Sequence, residues 1–82
     1  MSKMILTVDD SKSMRMLLRN ALTQRGYEVV EAEDGVAALE WLRNNSPNLV
    51  ITDINMPRMD GFGLIEALRG ESRWDSTPIL VL

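Results

Sequence analysis

Apolar positions fall along the chain in two alternating rhythms, short solid runs and longer stripes at helical spacing. Met4-Ile5-Leu6-Thr7-Val8 is mostly apolar and partly β-branched, which predicts a strand buried on both faces. Leu49-Val50-Ile51-Thr52 and Pro78 to Leu82 repeat that pattern, and Tyr27 to Ala32 supplies a further strand. Between the first two runs, Met14, Leu17, Leu18, Ala21 and Leu22 recur at the spacing of one helix face. That stripe predicts an amphipathic helix with Lys12, Arg15, Arg19 and Gln24 on its solvated side. Ala38, Leu39 and Leu42 predict a second helix from Gly35 to about Asn44, and Leu64, Ile65 and Leu68 a third from Gly61 to about Gly70.

The punctuation agrees with these rhythms. Gly26 is placed to end the first helix in a left-handed conformation. Asp34 and Asp60 precede the second and third helices as caps, and any of Asp9, Asp10 and Ser11 can cap the first. Asn45-Ser46-Pro47-Asn48 is a turn, while Asp53 to Asp60, with its Pro57, and Ser72 to Thr77 read as loops. Trp41 and Trp74 read as partly buried packing groups, and Met56 and Met59 as loop packing. The order βαβαβαβ predicts an α/β fold, a parallel sheet covered on both sides, in a single domain over residues 1–82.

Composition narrows the chemistry. An apolar fraction of 45% is that of a folded domain rather than a disordered segment. Twelve acidic against nine basic residues leave a net charge of −3, with no basic stripe to displace counterions from nucleic acid. Cysteine and histidine are absent, so any catalysis must run on carboxylates, hydroxyls, lysines or a bound metal. Met1-Ser2-Lys3 leads into an apolar run too short for a signal peptide, and no run reaches membrane-spanning length. The expected address is cytoplasmic, with no membrane partner.

Asp9 and Asp10 stand at the carboxyl end of the first strand and Asp53 at that of the third. Open parallel sheets bind ligands beyond these strand ends, where the winding reverses. If the first and third strands are neighbours, three carboxylates converge there and repel one another unless a cation enters. An all-oxygen site suits Mg²⁺ or Mn²⁺. A carboxylate beside such a metal can attack phosphorus, and Asp53, alone at its strand end, is the better nucleophile, with Asp9 and Asp10 as the metal cradle. Taken singly, each of these residues is more simply a cap or a turn; only their combination makes a site.

Val8-Asp9-Asp10-Ser11, Asp53, and the segment Asn55-Met56-Pro57-Arg58-Met59-Asp60-Gly61 together resemble the receiver domains of two-component response regulators. Ser11-Lys12-Ser13-Met14-Arg15 and Glu31-Ala32-Glu33-Asp34-Gly35 are similar to the chemotaxis, CheY-like subgroup. The resemblance implies a flavodoxin-like sheet in strand order 2-1-3-4. It implies that Asp53 accepts a phosphoryl group from the phosphohistidine of a histidine kinase. It further implies that Asp10 ligates Mg²⁺ directly, that Asp9 acts mainly through water, and that Asn55 contributes its backbone carbonyl. Such a domain is a phosphoacceptor in signalling rather than an enzyme, with at most slow self-phosphorylation and autodephosphorylation.

The resembling family has five strands and five helices, whereas the pattern here supplies four strands and three helices. The expectation is a truncated receiver domain without the fourth helix, fifth strand and fifth helix, and impaired in switching. The family's hydroxyl residue after strand four and its lysine at the end of strand five have no counterpart. The competing expectation is an inert receiver fragment, or an engineered half-fold, that forms a dimer or higher oligomer through an exposed fourth strand and an uncovered face of the first helix. A haloacid-dehalogenase-like phosphatase fits less well, because its second aspartate lies two residues after the nucleophile, whereas Asp9 and Asp10 are adjacent. A dinucleotide-binding enzyme fits least, since no glycine-rich turn follows the first strand.

Overall fold

Continuous apolar runs form strands here because helices close one face of the sheet and cover the other over its first two strands. The computed structural model describes residues 3–54, 60–74 and 76–82. Its strands are β1 (Met4–Val8), β2 (Glu28–Ala32), β3 (Leu49–Thr52) and β4 (Ile79–Val81). Its helices are α1 (Lys12–Thr23), α2 (Gly35–Leu42) and α3 (Gly61–Arg69), with a 3₁₀ turn at Ser72–Trp74. Among the described residues the strands make one sheet in the order β2-β1-β3-β4, with every neighbouring pair parallel. Strands one and three are therefore neighbours, as the convergence of acids requires.

Leu6 pairs with Val30 on one side and Val50 on the other, and Val50 pairs with Ile79. These residues share one face of the sheet, and Leu42 of α2, Leu64 and Leu68 of α3 and Trp74 close over it as the core. Fully burying a leucine contributes roughly 1.5–3 kcal/mol, so this cluster is the main anchor of the fold. Trp74 is 2% exposed, more deeply placed than a loop tryptophan was expected to be. The 3₁₀ turn carries it inward, where its indole N–H donates to Glu71 Oε2 at 3.1 Å.

The opposite face carries Ile5, Thr7 and Ile51, with α1 lying over β1 and β2. Here the expected helix phase needs correction. No residue of α1 is buried, and Met14, Leu17 and Ala21 are exposed. Its inward stripe is Arg15, Leu18, Arg19 and Leu22, all half-buried, offset by one position from the purely apolar reading. The reason is Glu31, on the same face of β2, which Arg15 and Arg19 both bind. Arg15, 15% exposed, is therefore not part of a solvated face, whereas Arg19 keeps 44% of its side chain exposed while binding Glu31.

The caps follow their expected chemistry. Asp34 and Asp60 accept from the backbone N–H groups of Ala37 and Gly63, each at 2.8 Å. Gly26 has φ 88°, the left-handed conformation that lets the chain turn from α1 into β2. Observed elements are shorter than expected at several ends, with β2 starting at Glu28 and α2 closing at Leu42.

Candidate functional site

Both strand tips that carry the acids are fixed by the sheet itself. The ladder continues past the ends of β1 and β3: Asp9 N–H donates to the Ala32 carbonyl at 3.1 Å, and Asp53 N–H donates to the Val8 carbonyl at 2.9 Å. Adjacent strands lie about 4.8 Å apart, so side chains leaving neighbouring tips are held at ligand-sharing range. Asp9, Asp10 and Asp53 each offer a carboxylate oxygen, and these oxygens all lie within 4.8 Å of one another. The three acids singled out by their strand-end positions thus meet in one place.

Each acid is held differently. Asp9 is only 5% exposed, and its Oδ1 accepts from Ser11 N–H at 2.8 Å. Asp10 is exposed. Asp53 is half-buried, its Oδ1 accepts from Ile54 N–H at 2.8 Å, and its carbonyl accepts from the buried Thr52 hydroxyl at 2.9 Å. Ser11, not Asp9 or Asp10, caps α1, its hydroxyl accepting from Met14 N–H at 3.3 Å. The neighbouring hydroxyl leaves the Asp10 carboxylate out of the cap, among the three acids. Asn55, whose backbone carbonyl the family resemblance implicates, lies outside the described residues, as do Met56, Pro57 and Met59.

The donor set decides what this cluster can hold. Three carboxylate oxygens without nitrogen or sulfur are hard ligands, and one exposed and one half-buried acid leave room for water in the shell. Three like charges in so small a space repel, and a divalent cation is the simplest offset. The residues present therefore fit Mg²⁺ or Mn²⁺.

One group beside the site escaped the sequence reading. The Arg15 guanidinium donates to the Asp9 carbonyl and, through Nε, to Glu31 Oε1 at 3.3 Å. Arg19 binds the other oxygen of Glu31 at 2.5 Å and the Val29 carbonyl at 3.2 Å. Two arginines four residues apart on the helix, facing an acid placed mid-strand, were the available signal.

Comparison with known proteins settles the family. The sequence profile of the response regulator receiver domain matches residues 5–82. The chain belongs to that family. This receiver domain is 47% identical over 78 residues to the response regulator MprA of Mycobacterium sp. (strain KMS), covering 95% of the chain and 33% of that protein. It is 46% identical over 80 residues to the chemotaxis protein CheY1 of Helicobacter pylori (strain ATCC 700392 / 26695), covering 95% of the chain and 64% of that relative. Among solved structures it superposes on the chemotaxis response regulator CheY4 of Vibrio cholerae with TM-score 0.95 and 40% identity, over 99% of the chain and 68% of that structure. The receiver domain of a signal transduction histidine kinase from Syntrophus aciditrophicus gives TM-score 0.96 at 32% identity, covering 99% of the chain and 61% of that structure. The fold is thus the flavodoxin-like, CheY-like sheet in order 2-1-3-4. The chain spans about a third of the length of its MprA relative. Among the described residues, no helix is long and apolar enough to cross a membrane.

Proposed function

We propose that this receiver domain is a phosphoacceptor, with Asp53 taking a phosphoryl group from the phosphohistidine of a histidine kinase. Mg²⁺, or Mn²⁺, would be held by Asp9, Asp10, Asp53 and the backbone carbonyl of Asn55. The observation that carries this reading is the meeting of three carboxylates from two neighbouring strand tips. A cytoplasmic location accords with such a donor.

A carboxylate oxygen of Asp53 attacks phosphorus and forms an O–P bond, while the bond from phosphorus to the donor imidazole breaks and the leaving nitrogen keeps the electron pair. The ladder bond from Asp53 N–H to Val8 and the bond from Ile54 N–H to Oδ1 hold the nucleophile in one orientation. Asp9, anchored by Ser11 N–H, and Asp10, facing solvent, provide the negative charge that retains the cation. When bound, the divalent ion neutralises charge on the transferring oxygens. The test is intact-mass measurement after incubation with acetyl phosphate. Gain of one phosphoryl group that requires Mg²⁺ and disappears in Asp53→Asn is expected; gain that persists in Asp53→Asn would move the acceptor elsewhere.

A second reading, an inert domain that assembles with copies of itself, rests on a separate observation. Leu17 on α1 is 64% exposed and Leu80 on β4 is 49% exposed. Apolar side chains so placed, one of them on an edge strand, favour pairing with another copy of the chain. Assembly itself is compatible with phosphoacceptance, since neither surface includes the three acids; the inert part of the second reading is what phosphoryl gain would exclude.

A further inference from the structure

The Asp9 carbonyl belongs to the peptide plane that joins Asp9 to Asp10. Its orientation sets ψ of the first acid and φ of the second, and with them the directions in which both carboxylates leave the backbone. Up to Val8 the sheet fixes such planes, and at Asp9 the N–H is still held by Ala32. The Asp9 carbonyl instead accepts from the guanidinium of Arg15, a side chain only 15% exposed. Arg15 is in turn braced by Glu31 on β2, which Arg19 grips from the other side.

We propose that Arg15 is a positioning residue for the divalent-ion site, fixing the Asp9–Asp10 peptide plane so that both carboxylates face Asp53, with Glu31 as its brace. This rests on the reading of the three acids as a metal site.

Electrostatics and positioning make opposite forecasts for the loss of Arg15. A guanidinium near a cation site repels the cation, so removing it through charge alone would tighten binding. Removing it as an orienting group weakens binding, as loss of an outer-shell partner commonly does by about 10–100-fold. Arg19 supplies a matched control. It shares the Glu31 partner and carries the same charge, but its second bond goes to the Val29 carbonyl rather than to Asp9.

The experiment is calorimetric titration of the metal-free chain with Mn²⁺ for the parent, Arg15→Gln, Arg15→Lys and Arg19→Gln. Near-ultraviolet circular dichroism of Trp41 and Trp74 confirms the fold of each. Arg15→Gln should bind Mn²⁺ about tenfold more weakly, Arg15→Lys should recover part of that loss, and Arg19→Gln should match the parent. Arg15→Lys keeps the charge and the stem, and so carries the comparison if Arg15→Gln fails to fold. Unchanged or tighter binding in the Arg15 variants, or equal weakening in Arg19→Gln, would overturn the positioning role while leaving the metal site standing. A parent chain that binds no Mn²⁺ would overturn both.

Discussion

Asp53 is tied to Val8 by a backbone hydrogen bond of 2.9 Å, made one residue beyond the last paired position of β3. The acid on the third strand is thereby held against the first strand by the same ladder that builds the sheet. Its proximity to Asp9 follows from strand order and register, while Asp10 lies one residue past the last ladder bond of the first strand. Sites carried on regular elements are positioned more tightly than sites carried on loops.

Asp9 and Asp10 should separate in their effects, although both are ligand candidates. Asp10 is exposed, so Asp10→Ala should weaken Mg²⁺ binding about tenfold or more, a loss of ~1.4 kcal/mol or more, with little change in the urea midpoint. Asp9→Ala should weaken Mg²⁺ binding and also lower stability by about 1 kcal/mol, because it removes the acceptor of Ser11 N–H. Paired calorimetric and denaturant titrations distinguish the two.

Helix capping gives a second, graded expectation. Asp34 is buried and its carboxylate accepts from Ala37 N–H at 2.8 Å, whereas Ser11 is exposed and its bond to Met14 N–H is 3.3 Å. Asp34→Ala should cost about 1–2 kcal/mol and Ser11→Ala about 0.5–1 kcal/mol, read from urea midpoints at constant slope.

The core makes a blunter demand. Leu64 and Leu68 of α3 are both fully enclosed against Leu6, Val50 and Trp74. Leu64→Ala should cost about 2–5 kcal/mol. That is a large share of the roughly 4–12 kcal/mol expected of 82 residues, so the urea midpoint should fall steeply at unchanged slope.

Self-association should respond to charge placed on the apolar patches. Leu17→Glu and Leu80→Glu change residues that are mainly exposed, and should leave the fold intact while lowering the sedimentation coefficient of any oligomer toward that of a monomer. A parent chain that sediments as a monomer at micromolar concentration would remove the assembly reading.

Much of this arrangement was legible in the residues. Solid apolar runs such as Leu49-Val50-Ile51-Thr52 located the strands, and the acids placed just after them located the crevice. Strand order was not legible from periodicity; it came from the family resemblance and is borne out by the pairing of β1 with β3. The phase of α1 misled because Arg15 and Arg19 count as surface residues by type, while Glu31 draws both toward the sheet. The choice of cap among Asp9, Asp10 and Ser11 was equally hidden. It depends on the Asp9 N–H remaining bonded to Ala32, a tertiary fact that holds Asp9 on the sheet and shifts the helix start to Ser11. Trp74 went inward through a 3₁₀ turn that no apolar period announces.

Paramagnetic broadening by Mn²⁺ in amide nuclear magnetic resonance spectra most directly asks whether the three acids act as one binding unit. At one equivalent of Mn²⁺, broadening should centre on the amides of Asp9, Asp10 and Asp53 together, and should fall away in Asp10→Asn and in Asp53→Asn alike. Broadening centred elsewhere, or undiminished in Asp53→Asn, would contradict a shared divalent-ion site at the two strand tips.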